Sequence, residues 1–253
     1  MSIWIGFVVY AVLMYGIALK IRKMSLMDIV WSLGLGAGSI FLFFEIDTRS
    51  FSAWAALVLM LLWSTRMGTH LYFNRILSDK EDNRYQRLIE HSGTSWKWVF
   101  LLCFLLQIFF IFIFLFPIKA AMNSSEAGFV GFQVFGFIIG CLALVGESLS
   151  DLQLKQFCSN PQNKQKVCKE GFWRYSRHPN YFFEWLFWFS FVGLALGSER
   201  FYIALIGPLV MYVFLRFITG VPFAEMSSLE SRGDAYKQYQ QETNVFFPWF
   251  PRL

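Results

Sequence analysis

Apolar residues run in long blocks along the chain, and short polar stretches separate these blocks. Seven blocks reach about 20 residues, the length that an α-helix needs to cross a bilayer. They lie near Ile3–Leu19, Leu26–Phe44, Phe51–Thr69, Trp98–Pro117, Gly128–Ser150, Tyr181–Gly197 and Phe201–Val221. The regular alternation of polar and apolar positions that a membrane barrel needs is not seen. The pattern predicts an all-α, polytopic membrane protein with about seven transmembrane helices, in one domain over residues 1–253.

The composition supports this class, because 56% of the residues are hydrophobic and only 15% are charged, against about 25% charged in soluble domains. Most of the 22 Lys and Arg residues follow the first, third and fifth blocks or lie in the tail. The positive-inside rule then places the N-terminus outside and the C-terminus in the cytoplasm. Loops near 70–96 and 151–180 and the tail 222–253 are predicted to be cytoplasmic. The net charge of +5 is thus a feature of membrane topology and indicates contact with membrane lipids or an anionic cofactor, not nucleic acid.

Two other patterns carry little chemistry. The four cysteines lack metal-ligand spacing, and two of them lie in a loop predicted to be cytoplasmic, so neither a disulfide nor a metal site is expected. The stretch "GLGAG", Gly34–Gly38, resembles a dinucleotide fingerprint only by spelling, since it lies inside a span with no strand before it. Small residues there are expected to let helices approach closely.

Five ionisable residues fall inside the predicted spans, where charge is costly and usually functional. They are Asp28, Arg66, Glu147, Glu184 and Arg216. With the predicted topology all five lie in the cytoplasmic half, which favours a pocket open to the cytosol over a channel. Long side chains can also reach the interface without any function, and this second reading stays open for Arg66 and Arg216.

The segment "GFWRYSRHPNYFFEW", Gly171–Trp185, begins as a basic loop and ends as an aromatic helix. Pro179 suits the first turn of a helix, whose free N–H groups can bind a phosphate. Arg177 and His178 precede it and Asn180 and Glu184 follow, so the segment predicts an anion site at a helix N-terminus. A basic interfacial anchor is the alternative. On the preceding helix, Glu147, Asp151 and Lys155 are spaced to share one face. If the helix that follows the loop already includes Arg177, then Tyr181 and Glu184 lie on the same face of that helix as Arg177.

The second cytoplasmic loop is rich in cations, which suits a cofactor with several phosphates. These cations are Lys155, Lys164, Lys166, Lys169, Arg174 and Arg177. Asn74 and Arg75 of the first loop are expected to face them, and the aromatic spans are expected to hold an apolar substrate.

The segment Gly171–Trp185 resembles the C-terminal signature that steroid 5-alpha-reductases share with sterol reductases and isoprenylcysteine carboxyl methyltransferases. "SDLQLKQF", "DNRYQRL", "TGVPFAE" and the final "YQQETNVFFPWFP" are similar to the bacterial, largely uncharacterised branch of the steroid 5-alpha-reductase family. The resemblance covers nearly the whole chain. It implies an NADPH-dependent reductase that transfers a hydride to the C=C bond of an enone-type lipid or steroid-like substrate, in a bacterial inner membrane with its cofactor site facing the cytoplasm.

The resemblance also implies roles for single residues. Asn74 and Arg75 match an Asn-Arg pair that contacts the cofactor, and Asp151 matches an Asp at its adenosine end. Asn180 and Glu184 match residues that hold the nicotinamide amide. The further residues placed at the cofactor are Lys155, Lys166, Arg177, His178, Tyr181 and Glu225. On the substrate side Asp28 and Trp63 fall near the Glu and the Tyr that hold the substrate carbonyl in the steroid enzymes.

Asp28 and Trp63 differ from the Glu and the Tyr of the steroid enzymes, and these differences affect which substrate the protein can reduce. Trp63 can donate one N–H but cannot deliver a proton as a phenol does, and Asp28 can polarise a carbonyl only if it is protonated, a state that burial favours. Arg66 or His70 is an alternative electrophile. The alternative functions are an S-adenosylmethionine-dependent membrane methyltransferase and a non-catalytic lipid-binding or transport protein. S-adenosylmethionine has no phosphates, so the methyltransferase would leave the cationic loop unexplained. This difference favours the reductase. The residues do not decide between NADPH and NADH, nor the oligomeric state.

Overall fold

A computed structural model describes residues 2–125 and 129–252, and the side chains of residues 2–4 lie outside that description. Helices account for the secondary structure in these ranges, and no strand occurs within them. The α-helices in chain order are α1 (Ser2–Ile21), α2 (Leu26–Glu45), α3 (Phe51–Leu71), α4 (Asn83–Ser92), α5 (Trp96–Met122), α6 (Val130–Ser159), α7 (Pro179–Ala195), α8 (Ile206–Val213), α9 (Val221–Arg232) and α10 (Asp234–Glu242). The all-α prediction is confirmed for the described chain.

Five helical segments are long and apolar enough to cross a membrane: Leu26–Glu45, Phe51–Ile76, Asn83–Met122, Val130–Ser159 and Phe201–Arg232. They match five of the seven predicted spans and are compatible with an integral membrane protein. The first predicted span coincides with the shorter apolar helix Ile5–Ile21, and the sixth with α7, which has 17 residues. The predicted start of the fifth span, Gly128, lies outside the described residues, and the orientation stays a prediction.

The chain forms two compact units, and each is described by itself. The first comprises Met1–Phe129 and Ala195–Ala204, and the second comprises Val130–Leu194 and Leu205–Leu253. In the first unit α2 packs against α3 and α5, and α1 packs against α5 and α2. The glycines of "GLGAG" explain this central position of α2. A Cβ atom at Gly34 would lie 2.5 Å from the Ile111 side chain, and one at Gly36 would lie 2.5 Å from the Ser64 hydroxyl. The predicted close approach of helices at these glycines is confirmed.

In the second unit α6 and α7 cross at two glycines. A Cβ atom at Gly136 would lie 2.8 Å from the Ser190 carbonyl oxygen, and one at Gly193 would lie 3.0 Å from the Gly136 Cα. The two backbones therefore touch at this crossing. Two π-helical turns, Tyr72–Ile76 and Phe214–Ile218, follow α3 and α8. Such turns hold one extra residue in the helix and often occur at functional sites.

Candidate cofactor site and its supporting clusters

The segment that leads into α7 is held by its own hydrogen bonds. A 3₁₀ turn covers Gly171–Arg174, and Gly171 has a φ of 55°, a left-handed conformation that glycine adopts without strain. The buried indole of Trp173 donates to the Ser150 carbonyl oxygen at 2.9 Å. Helix α7 then begins at Pro179, as predicted. Arg177 lies before the helix, so the predicted helical face shared by Arg177, Tyr181 and Glu184 does not form; the helix begins too late.

Arg177, His178 and Glu225 form a buried polar cluster at the start of α7. Glu225 Oε1 accepts a hydrogen bond from Arg177 Nε at 2.6 Å and lies 3.3 Å from His178 Nε2. The same Arg177 guanidinium donates to the carbonyl oxygens of Gln240 and Thr243 at 2.9 and 2.7 Å. The Arg177 side chain is 10% exposed. The Arg177 guanidinium is therefore hydrogen-bonded to acceptors within the protein, and these contacts connect α9 and α10 to the start of α7.

The ring of His178 is held in one orientation. It stacks on Tyr181 with ring centroids 5.4 Å apart and an interplanar angle of 9°. Burial, the largest effect, lowers the pKa of His178 below its ordinary value; the charges of Arg177 and Arg216 act in the same direction and Glu225 opposes them. A neutral imidazole can donate to the Glu225 carboxylate only through Nε2–H, which leaves Nδ1 as an acceptor.

Two side-chain hydrogen bonds involve the polar residues of α6 and α7, one between the helices and one within α7. Asn180 Nδ2 donates to Asp151 Oδ1 at 3.1 Å, and Trp188 Nε1 donates to Glu184 Oε1 at 2.8 Å. Glu184 is buried, with 4% of its surface exposed. The three residues predicted to share a face of α6 lie in one uninterrupted helix, and they pass from the buried Glu147 through the half-buried Asp151 to the exposed Lys155. Asp151 and Asn180 were assigned to opposite ends of the cofactor, but their direct contact means that they would meet the same part of any ligand.

The C-terminal segment covers the loop before α7. Ser176 Oγ donates to the Phe246 carbonyl oxygen at 2.8 Å, and the Trp249 N–H donates to the Tyr175 carbonyl oxygen at 3.0 Å. The Tyr239 hydroxyl donates to the backbone of the same loop, and burial raises the pKa of that phenol. The loop before α7 is thus ordered by contacts with residues more than 60 positions later in the chain.

The cations of the second loop fall into two groups. Two of them pair with carboxylates, Lys169 with Glu242 at 2.7 Å and Arg177 with Glu225, although Lys169 is itself exposed. Four others are exposed and form no ion pair within 4.0 Å among those described, namely Lys155, Lys164, Lys166 and Arg174. A phosphate ligand would therefore meet this second group, among which the sequence singled out Lys155 and Lys166.

A second cluster lies in the first unit around Asp28. Tyr85 donates through its hydroxyl to Asp28 Oδ1 at 2.6 Å, and Arg84 Nη2 donates to Asp28 Oδ2 at 3.0 Å. Arg75, in the π-helical turn, pairs with the same oxygen and reaches Asp82 Oδ2 at 3.3 Å. The carboxylate of Asp28 thus accepts from three donors and serves as the common acceptor of this cluster.

Asp82 completes this cluster and caps the N-terminus of α4. Its carboxylate accepts from the Arg84 N–H at 2.9 Å and from Arg84 Nε at 3.0 Å. Burial by itself would raise the pKa of Asp82, but the hydrogen bonds and charge of Arg84 and the charge of Arg75 lower it below its ordinary value. The roles of Asp82, Arg84 and Tyr85 in "DNRYQRL" were not predicted from the sequence, where the segment carried only a resemblance. A signal was present in the sequence, because five polar residues flank Tyr85 in this segment.

The two remaining candidates of the first unit are placed differently. Trp63 is fully buried, and its ring lies edge-on to Trp31 with centroids 5.2 Å apart, a packing role in the core between α2 and α3. Asn74 is exposed and donates to the His70 carbonyl oxygen at 2.9 Å. Asn74 is therefore accessible to a ligand, whereas Arg75 beside it is engaged by two carboxylates.

Comparison with known proteins identifies a family. The family model for DUF1295, described as a protein of unknown function, matches residues 14–243, so the chain belongs to the DUF1295 family. No curated protein and no solved structure matches the chain.

Proposed function

We propose that this DUF1295 protein is an integral-membrane, NADPH-dependent reductase that acts on the C=C bond of an enone-type lipid or steroid-like substrate. One observation carries the proposal. Contacts within the second unit join residues that the sequence places at the cofactor: Arg177, Glu225, His178 and Tyr181 form one chain of contacts, and Asp151 and Asn180 form another. A helix that only spans a lipid bilayer has no need for such a set.

The donor set fits a dinucleotide. A primary amide such as that of nicotinamide needs both donors and acceptors, and Asn180 with the carboxylates of Asp151 and Glu184 offers both. Phosphates need cations, and exposed lysines follow on the same helix and in the next loop. NADPH supplies the hydride when bound. Asp151 and Asn180 hold one another, so both are oriented before a ligand arrives.

Arg177 has a different role in this proposal from the one that its sequence position indicated. Because Glu225 and two carbonyl oxygens accept from its guanidinium, Arg177 positions the start of α7. It also holds the Glu225 carboxylate, which fixes the tautomer of His178. His178 then presents Nδ1 as an acceptor beside the ring of Tyr181. The cofactor contact is made by His178 and Tyr181, and Arg177 supports them.

On the substrate side the carbonyl-binding role expected of Asp28 and Trp63 falls in this proposal to the cluster around Asp28, whose carboxylate orients Tyr85, Arg75 and Arg84, while Trp63 packs in the core. The Tyr85 phenol, once a substrate carbonyl replaces Asp28 as its acceptor, is the type of proton donor that Trp63 is not. Arg75 and Arg84 beside Asp28 would stabilise negative charge that develops on a carbonyl oxygen. This arrangement keeps an acid in the first unit without requiring Asp28 itself to be protonated.

An apolar substrate is supported by a crevice in the first unit. Its volume is about 580 Å³, and Phe7, Tyr10, Leu33 and Phe41 are among the residues of α1 and α2 that line it. Pockets for small molecules usually measure about 300–1,000 Å³. Leu33 follows Asp28 by about one and a half turns of α2, so the crevice and the charged cluster lie along one helix.

Titration of the detergent-purified protein tests the proposal. NADPH and S-adenosylmethionine are added separately to the wild type, to Glu184→Gln and to Lys237→Ala, an exposed control whose ammonium pairs with Asp234 at 2.8 Å. The proposal expects NADPH binding that Glu184→Gln weakens and Lys237→Ala leaves unchanged. Binding of S-adenosylmethionine alone would favour the methyltransferase, and binding of neither compound would favour a lipid-binding protein.

A further inference from the structure

The last described residues, 243–252, form a closed C-terminal loop in the second unit. The Arg252 N–H donates to the Glu242 carbonyl oxygen at 2.8 Å, which brings the two ends of the loop together. The Trp249 N–H donates to the Tyr175 carbonyl oxygen at 3.0 Å and attaches the loop to the segment before α7. The backbone of the C-terminal loop is therefore held in place by hydrogen bonds to two other parts of the unit.

One side of the C-terminal loop packs against membrane-length helices. The rings of Phe246 and Phe247 lie 5.1 and 5.9 Å from the Tyr212 ring of α8, measured between centroids. Phe247 also lies edge-on to Trp185 of α7 at 5.4 Å. Trp185 is six residues beyond Pro179, where α7 begins, or about 9 Å along the helix axis at about 1.5 Å per residue. The loop therefore extends past the polar start of α7 to its apolar part.

The other side of the C-terminal loop leaves large rings uncovered. Trp249 and Phe250 are 69% and 73% exposed. The Phe250 ring lies 6.0 Å from the Tyr175 ring, and the Arg174 guanidinium lies 6.0 Å from the centroid of that same ring. Arg174 and Arg252 are themselves exposed. These residues form one surface, the aromatic tail patch, which consists of Arg174, Tyr175, Trp249, Phe250 and Arg252.

The aromatic tail patch has the composition of a surface at a membrane–water interface. Tryptophan is enriched there because its ring is apolar and its N–H is polar. Exposed arginines beside such rings attract the headgroups of anionic lipids. A second copy of this chain suits the patch less well, because a symmetric contact brings identical surfaces together and would place Arg174 and Arg252 near the same cations of the partner. Charge complementarity therefore favours a lipid surface.

We propose that the aromatic tail patch inserts into the lipid–water interface of the membrane that the helices cross. Its two uncovered rings, Trp249 and Phe250, enter the interface, and its two arginines contact anionic headgroups. The contact of Phe247 with Trp185 of α7 makes this surface continuous with the apolar surface of the helices. The inference concerns a lipid partner and does not depend on the proposed reductase function.

The accessibility of a spin label tests this inference on the full-length protein in vesicles of phosphatidylcholine and phosphatidylglycerol. The four cysteines are replaced by serine, and a nitroxide is attached to Phe250→Cys or to the control Lys237→Cys, a position whose side chain is 65% exposed. Collision with a water-soluble nickel chelate should be about threefold or more weaker at position 250 than at position 237, because a side chain in the interface is shielded from water. Collision with molecular oxygen, which dissolves well among acyl chains, should be stronger at position 250.

Two results of this measurement would refute the inference. The first is equal accessibility of positions 250 and 237 to the nickel chelate, which would place the patch in water. The second is dipolar broadening at position 250 that disappears when labelled protein is diluted with unlabelled protein, which would show that a second copy covers the patch. Neither result involves a nucleotide, so failure of the inference is distinguishable from failure of the proposed reductase function.

Tryptophan quenching provides a second test that keeps the native cysteines. Trp249 is one of ten tryptophans, so the wild type is compared with Trp249→Phe, which retains an aromatic ring. The fluorescence that acyl-brominated phosphatidylcholine quenches should decrease in the variant, and the fluorescence that iodide quenches from the water should stay unchanged. A decrease confined to the iodide-quenched fluorescence would place Trp249 in water and refute the inference.

Discussion

Asp28→Asn is the substitution that tests the charged cluster of the first unit most directly. It keeps the size of the side chain but removes the negative charge between Arg75 and Arg84. The Tyr85 hydroxyl, 2.6 Å from Oδ1, can still donate to the amide oxygen. The amide NH₂ group, however, would replace an acceptor with a donor that faces a guanidinium. The substitution therefore removes the interactions of Asp28 with the two arginines and keeps the hydrogen bond from the tyrosine.

The size of the effect follows from burial and from the partner that remains. The side chains of Asp28, Arg75 and Arg84 are 21%, 26% and 27% exposed, so solvent screens them only in part. Hydrogen bonds to a charged group contribute about 1.5–3 kcal/mol each, but Asp82 stays in reach of both arginines and offsets part of the loss. A net destabilisation of about 1–3 kcal/mol is expected, which corresponds to a decrease in the thermal midpoint of roughly 3–9 °C for a chain of this size.

The assay is thermal unfolding in detergent, followed by intrinsic fluorescence. Asp234→Asn is the matched control, because the same chemical change breaks an exposed pair with Lys237, and exposed pairs contribute little. Its midpoint should equal that of the wild type. If Asp28→Asn also leaves the midpoint unchanged, the three contacts do not stabilise the unit. If a substrate is found, we further expect turnover to fall more than NADPH affinity; the reverse would place Asp28 with Arg75 at the cofactor.

Three further outcomes are expected. Gly136→Leu should prevent the close crossing of α6 and α7 and abolish the folded protein, whereas Gly131→Leu, with no atom within 4 Å of the added Cβ, should fold and serve as the control. Because burial lowers the pKa of His178, the unfolded state takes up a proton first as the pH falls below about 6.5; the thermal midpoint should decrease from about pH 7 to pH 5.5, and by less in His178→Gln. A midpoint independent of pH would contradict that reasoning. Glu184→Gln should weaken NADPH binding with expression intact, and unchanged affinity would remove Glu184 from the site.

Several features of the candidate site were predictable because they depend on neighbours along the chain. The start of α7 follows from Pro179, whose missing N–H is tolerated in the first turn. The helical spacing of Glu147, Asp151 and Lys155 was readable because α6 is one uninterrupted helix. Packing at Gly34 and Gly36 followed from the lack of side chains inside an apolar helix. In each case the cause lies within a few residues of the feature.

The partners of the charged residues were not predictable in the same way. Asp28 meets Arg75 and Tyr85, which lie 47 and 57 positions later, and no periodicity links such distant residues. Arg177 was expected at an anion, yet Glu225 and the C-terminal backbone accept from it. The π-helical turns were also missed, since one extra residue inside a helix leaves no mark on an apolar pattern.

The sequence by itself determined that the chain is helical, that several of its helices are apolar enough for a membrane, and which segments carry the polar chemistry. Local propensity and the length of apolar runs suffice for that. Only the tertiary structure decided which cations pair with carboxylates of distant segments. A hydrogen bond or ion pair depends on separations of about 3 Å, and those separations arise only after distant segments have packed, as Arg177 and Glu225 have in the second unit.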